Sequence, residues 1–333
     1  MVFVRRRPFV PGYILLANAL CPLGGGSALR GQENPGWNGV AEFPEPGIVD
    51  SEPEDSGSRD WSVLPFLIYN PETSLSLGAL YARVLPDPLS PERVRSSLMV
   101  NAQYTLKNQL VAGFQYEARP RPDRIGLMDG AVKLSWPDRL YAPGNRSGRE
   151  AYEEWTGQGL QLEGTLFRSV ADPRFFLGPR VSVRFTRIAE LEEGGLLDRQ
   201  AVEGAQDHGL LGLGAGAVWD SRDSPVYPRS GSYHSLSITG HRSFSGDVRW
   251  VGSTEVDLRV YRSIREGTVL AVRGRVRSSW GDVPFTMHAT VGGVGGGLRG
   301  IYENRYAHRT AGVAVAEIRQ LLFWRIGGVL FGG

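Results

Sequence analysis

Cysteine is almost missing from this sequence: Cys21 stands alone among 333 residues. A lone thiol excludes a disulfide framework and any cysteine-built metal site. Lysine is nearly as scarce. Only Lys107 and Lys133 occur, so arginine carries the basic count. Its planar fork suits fixed pairs with carboxylates better than lysine's point charge. Net charge is also small. The 37 basic and 35 acidic residues leave +2, too little to draw the chain to nucleic acid. No apolar run reaches ~18 residues, which excludes a membrane-spanning helix. Reactive constellations are missing too. The five histidines, His208, His234, His241, His288 and His308, show no H-E-x-x-H spacing, and there is no G-x-S-x-G elbow. Gly295 to Gly300 literally fits G-x-G-x-x-G, but no helix follows it, as a dinucleotide site requires. No catalytic residue, metal or cofactor is expected, and the chain reads as a non-enzyme. Glu153 and Glu154 read as solvated loop charge.

What is present falls into three parts. Arg5, Arg6 and Arg7 precede an apolar stretch from about Phe9 to Leu23, and small residues follow to Ala28. Residues 1–28 therefore read as a secretory signal peptide, and the chain after it contains no cysteine. Residues 29–60 form an acidic segment without apolar period. From 30 to 60, eight acids stand against two arginines, the composition of a solvated, flexible stretch. The fold must lie in 61–333.

There the dominant period is two. Leu98, Val100, Ala102, Tyr104 and Leu106 alternate with Met99, Asn101, Gln103 and Thr105; Leu270, Val272, Gly274 and Val276 alternate with Ala271, Arg273, Arg275 and Arg277. Such alternation predicts strands, since a helix would repeat at i, i+3 and i+4. No convincing amphipathic helix interrupts the pattern. About thirteen strands are predicted, many of ten residues or more, from about 62–69 to 326–331. Glycine, at 44 residues about twice its usual ~7% share, fits a chain of strands and turns. Connections after the second, fourth, sixth and tenth strands are short; those after the fifth, seventh and eleventh are long.

Long strands with one short-turn end and one long-loop end predict an all-β, transmembrane antiparallel β-barrel. Aromatics near strand ends, Trp61, Tyr69, Trp136, Tyr141, Trp155, Trp219, Trp250, Trp280, Phe323 and Trp324, fit interfacial girdles. Glu255, Asp257 and Arg259 share one face of one strand, and Arg273, Arg275 and Arg277 one face of the next. Facing lipid at mid-depth, an arginine costs roughly 2–4 kcal/mol. These charges are therefore expected on the inner face, opposite one another across the pair. They would stiffen the wall or line a conduction path.

Two segments break the repetition. One runs from Trp219 to Gly231 and contains Asp220, Arg222, Asp223, Pro228 and Gly231. The other is a glycine-rich stretch, Gly292 to Gly300, carrying Gly296, Gly297, Leu298, Arg299 and Gly300, then Tyr302, with Glu317 downstream. In these motifs the chain resembles the BamA/TamA-like outer-membrane barrels, also called bacterial surface antigens, from about Pro65 onward. The first segment is similar to that family's turn before a long strand. The second is similar to its loop motif, with Ile301 where an aromatic is usual and Tyr302 beside it. The resemblance implies a sixteen-strand barrel of which about thirteen strands are present, the C-terminal strands being expected beyond Gly333. It also implies that the loop folds into the lumen, where Arg299 pairs with Glu317. The function implied is assembly and insertion of outer-membrane proteins, or substrate translocation, in the bacterial outer membrane; the alternative is a passive pore or membrane anchor. Partners implied are outer-membrane lipid, an unfolded outer-membrane protein or another translocated substrate, and a periplasmic partner in place of POTRA domains, which residues 29–60 are too short to form. No nucleic acid is expected.

Overall fold

The computed structural model describes residues 61–70, 74–87, 90–121, 123–141, 152–224, 228–292, 297–298, 301, 304–323 and 326–333. Alternation becomes strand throughout: β1 (Trp61–Asn70), β2 (Ser74–Asp87), β3 (Ser90–Thr105), β4 (Leu110–Arg121), β5 (Arg124–Tyr141), β6 (Tyr152–Val170), β7 (Asp172–Leu191), β8 (His208–Asp220), β9 (Gly231–Ser245), β10 (Trp250–Arg265), β11 (Thr268–Gly281), β12 (Ala289–Thr290), β13 (Ala307–His308), β14 (Thr310–Phe323) and β15 (Ile326–Gly332). Thirteen of them form one sheet in strict sequence order, β1 to β11, then β14 and β15. All of its pairings are antiparallel. Between β11 and β14 the described residues include a 3-10 turn, Phe285–Met287, and the small β12–β13 pair. Among the described residues β1 and β15 are not paired with each other.

Burial is inverted relative to a water-soluble sandwich. On β7, Arg180, Ser182, Arg184 and Thr186 are buried while Leu177, Val181 and Phe185 are exposed. On β11, Arg273, Arg275 and Arg277 are buried while Val272, Val276 and Trp280 are exposed. A sheet covers one face of itself this well only by curling round that face, and the covered face carries the charges. The inner face is apolar near its two ends. Close to the short turns, Ile125, Phe167, Phe176, Val218 and Tyr233 pack together. At the loop end, Leu140, Trp155, Leu197, Ala205 and Phe285 form one cluster, and Leu210, Val248, Val251, Val283 and Met287 another.

The aromatic girdle needs correction. Trp61, Trp250 and Trp280 are exposed on the outer face, but Trp136, Tyr141 and Trp155 are buried. A bulge accounts for Trp136: Ser135 adopts φ 51° and the β5–β6 register shifts between Lys133 and Trp136, so the extra residue turns Trp136 inward. Trp155 faces inward because it shares the period-two face of Gln161 and Glu163 on β6. Trp155 then meets Phe285 edge-on at 5.0 Å and joins the loop-end cluster. The side chains of Tyr69 and Phe323, and all of Trp324, lie outside the described residues.

Candidate functional site: the charged inner wall and its lid

The wall is built by β6, β7, β10, β11 and β14, whose inward positions share one face by period two. Two sub-networks of carboxylate and guanidinium form on it. Asp257 is fully buried and takes both forks of two arginines: Arg259 through Nε (3.1 Å) and Nη2 (2.8 Å), and Arg273 through Nε (3.2 Å) and Nη2 (2.8 Å). Glu255 accepts from Arg275 Nε at 2.8 Å and faces Arg277 Nε at 3.3 Å. The register places Glu255 opposite Arg277, Asp257 opposite Arg275 and Arg259 opposite Arg273. Direct opposition therefore explains only the Glu255–Arg277 contact. Asp257 instead binds Arg273, one pair along on the diagonal, because an arginine side chain leans far enough to span two residues. Binding both guanidiniums to one carboxylate offsets the repulsion between Arg259 and Arg273, which face each other in register.

A second centre, on β6 and β7, was not predicted as a site. Glu163 accepts from Arg180 through one oxygen and from Arg184 through the other, the latter at 2.6 Å, and also from Gln161 at 3.0 Å. Its sequence signal was there: Gln161, Glu163 and Thr165, then Arg180, Ser182 and Arg184, repeat polar residues at period two. What the sequence lacks is the register, which sets Glu163 opposite Ser182 and between the two arginines.

Glu317, buried on β14, is paired with Arg319 at 3.2 Å, whose guanidinium lies 5.8 Å from the Tyr261 ring. Of the loop motif, Gly296, Arg299, Gly300 and Tyr302 lie outside the described residues, and with Arg299 so does the expected Arg299–Glu317 pair. The described part returns to the inner face. Leu298 donates its N–H to Val291 O at 3.1 Å and bridges Gly292. Gly297 has φ 88°, and a Cβ there would sit 3.7 Å from Val313 on β14, on the same face as Glu317.

The Asp220–Gly231 segment is a built turn. Asp220 binds Arg222 through Nε at 3.0 Å and Nη2 at 3.1 Å, and the Arg222 guanidinium stacks over Tyr233 at 4.7 Å. Asp223 accepts the N–H groups of Arg229 (2.9 Å) and Ser230 (3.2 Å). Burial pushes its carboxyl up, but these backbone donors outweigh that and hold it below the usual carboxylate value. Gly231 has φ 96°, and a Cβ would fall 2.2 Å from Ser221 O, so glycine alone fits. Pro228 is buried beside it. These residues shape a turn, and through the Tyr233 ring, which Arg259 also approaches at 5.2 Å, the turn abuts the inner wall.

A lid covers the wall at the loop end. Glu153 corrects the reading of solvated charge: it is buried and accepts the N–H groups of Leu196 and Leu197, anchoring the β7–β8 loop. That loop grips the β11–β14 connection. Arg309 pairs with Glu203 at 2.7 Å, Phe285 N–H reaches Glu203 O at 2.9 Å, and His208 Nε2 lies 3.1 Å from Thr286 Oγ1. Asn304 ties the same connection to Asp138 on β5 at 2.9 Å. His288 stacks on His308 with ring centroids 6.4 Å apart. Burial, then the neighbouring His308 and Arg309, lowers His288 to about 4, so it is neutral at physiological pH.

The sequential antiparallel sheet has a counterpart among solved structures. It superposes on BamA from Haemophilus ducreyi lacking POTRA domains 1–3, with a TM-score of 0.51 over 80% of this chain and 54% of that one. The fold is that of the BamA barrel. Sequence identity is 14%, so the likeness is one of architecture. The chain spans about half the length of that BamA structure. No protein-family model and no curated protein sequence matches this chain.

Proposed function

We propose that this chain is an integral outer-membrane β-barrel that assists insertion of outer-membrane proteins or passage of a substrate across the membrane. The observation carrying the membrane reading is the inverted burial: Leu166, Leu213, Leu258, Val272 and Ile318 lie exposed on one face while the buried face holds the ion pairs. Water would charge that outer face roughly 25 cal/mol for every Å² of apolar surface left exposed; hydrocarbon does not. Strand lengths of 13 to 20 residues across β5 to β11 exceed the ~9–11 needed to span, leaving strand ends to carry the lid and turns.

The assembly reading rests on the BamA fold: a weak lateral seam in such a barrel accepts an incoming strand by β-augmentation. Unfolded outer-membrane protein is the substrate, outer-membrane lipid the surrounding medium, and a periplasmic partner the source of captured chains. The test is reconstitution into phosphatidylethanolamine–phosphatidylglycerol liposomes. Unfolded barrel substrate should gain heat-modifiable, folded mobility faster than in empty liposomes, and an equal rate would overturn the assembly role. A second reading, a passive pore or anchor, is favoured by the arginine-rich inner wall. It predicts steady conductance in planar bilayers without any gain in insertion rate.

A further inference from the structure

The lid closes where two loops meet, and two histidines sit on that seam. Gly204 of the β7–β8 loop has φ 74°, and a Cβ there would fall 2.3 Å from Pro284 Cβ on the β11–β14 connection. Beside this close approach, His208 bridges the loops. Its Nδ1 lies 2.9 Å from Gln206 O and its Nε2 3.1 Å from Thr286 Oγ1. A carbonyl only accepts, so Nδ1 carries the proton, and Nε2 of the neutral ring accepts from the Thr286 hydroxyl.

His288 lies on the connection itself, one residue before β12. Its ring stacks on His308 with an interplanar angle of 27°, and the β12–β13 pairing sets Ala289 opposite His308. Arg309 comes next in the chain. Its guanidinium donates to Glu203 on the β7–β8 loop at 2.7 Å, and its carbonyl accepts the Ser279 N–H of β11 at 2.7 Å. The histidine stack therefore adjoins the ion pair that joins the two loops.

The charged groups around the two rings decide what a proton does there. His288 has His308 and Arg309 beside it; Glu203 faces Arg309 and is already engaged by it, and β11 offers the uncharged Ser279. A proton on His288 sets a second cation next to a guanidinium. His208 has Asp207 beside it, and Gly246 of the β9–β10 turn, followed by Asp247, packs on its backbone. Burial outweighs Gln206 O and Asp207 and lowers His208, so both rings are held neutral. Asp138, the latch for Asn304 above the β5 bulge, works in the opposite sense. Burial raises it against the pull of Lys133, the Arg139 N–H, Asn304 and the Arg139 charge, so a proton on Asp138 favours the closed lid.

We propose that the lid is an acid-released clasp: protonation of His288 and His208 parts the β11–β14 connection from the β7–β8 loop. The inference rests on the contacts between the two loops and stands whether or not the assembly role does. A histidine lowered in the closed lid stabilises closure above its ordinary value and loses that contribution as pH falls towards the lowered one. For His288 the window runs from 6.5 to about 4. At pH 5 the opening constant is up to about thirtyfold above its value at pH 7.5.

The test uses the full chain folded in maltoside detergent, with Cys21→Ser and nitroxide labels on Ala201→Cys and Tyr306→Cys, one on each loop. Double electron–electron resonance reads the label separation. It should be short at pH 7.5 and gain a longer component at pH 5; an unchanged separation overturns the proposal, and this needs no further variant. His288→Gln combined with His208→Gln cannot be charged and should keep the short separation at pH 5. His288→Arg is charged throughout and should show the longer component already at pH 7.5. Equal separations in these two variants at each pH would sink the assignment to the histidines. Asp138→Asn should retain the acid response, and its loss there would assign the response to Asp138 instead and overturn the proposal.

Discussion

Asp257→Ala tests the inner wall most directly. The carboxylate has no exposed surface and accepts from four guanidinium nitrogens, Nε and Nη2 of Arg259 and of Arg273, at 2.8 to 3.2 Å. Valued one by one at ~1.5–3 kcal/mol, four such bonds would sum to about 6–12 kcal/mol. That sum overshoots, because bonds to one carboxylate are not independent. The better guide is the loss on breaking a buried ion pair, ~3–5 kcal/mol. Removing Asp257 also leaves Arg259 and Arg273 facing each other in register. We therefore expect a loss of ~3–5 kcal/mol. The measurement is urea unfolding in maltoside micelles, followed by tryptophan fluorescence and by heat-modifiable mobility. Glu154→Ala is the comparison: its pair with Arg139, at 3.4 Å, is largely solvent-exposed, so ~0–1 kcal/mol is expected. Replacing Asp257, Arg259 and Arg273 together with leucine should restore much of the stability, since an apolar set leaves no charge unpaired. A loss under ~1 kcal/mol for Asp257→Ala would mean that the wall behaves like an exposed surface, and the buried-network account would fail.

Four further outcomes follow from the same structure. Leu258→Arg, on the exposed apolar face, should cost ~2–4 kcal/mol for a chain folded in a bilayer; a neutral effect would deny the hydrocarbon contact. Gly231→Ala forces a side chain into φ 96° and onto Ser221 O, and should cost ~1–3 kcal/mol in the same urea assay. Asp223 has a folded pKa below its unfolded value. Its contribution is present above the ordinary carboxylate range and fades as pH falls through the folded value, so wild type and Asp223→Asn should differ at pH 7 and converge on acidification. Phe285→Ala, which removes the edge-on partner of Trp155, should loosen the lid and raise conductance in planar bilayers; unchanged conductance would show that the lid does not close the lumen.

The thirteen sheet strands were legible in the sequence because period two is a local property: each residue's face follows from its neighbour's. The same locality explains what was misread. Ser135 inserts one residue with positive φ, and no pattern in the neighbouring residues announces it, so Trp136 reads as part of the outer girdle although it is buried. Glu153 looked solvated because the backbone it caps, at Leu196 and Leu197, is more than forty residues away.

By itself, the sequence determined which residues are strand and which of them share a face, since both follow from one pleat repeating along the chain. Only the tertiary structure decided which charges meet. Asp257 reaches diagonally to Arg273 rather than across to Arg275, Glu163 gathers Arg180 and Arg184, and the two loops close over them. Those contacts depend on register and on side-chain reach between strands, and neither quantity is encoded in the order of residues along a single strand.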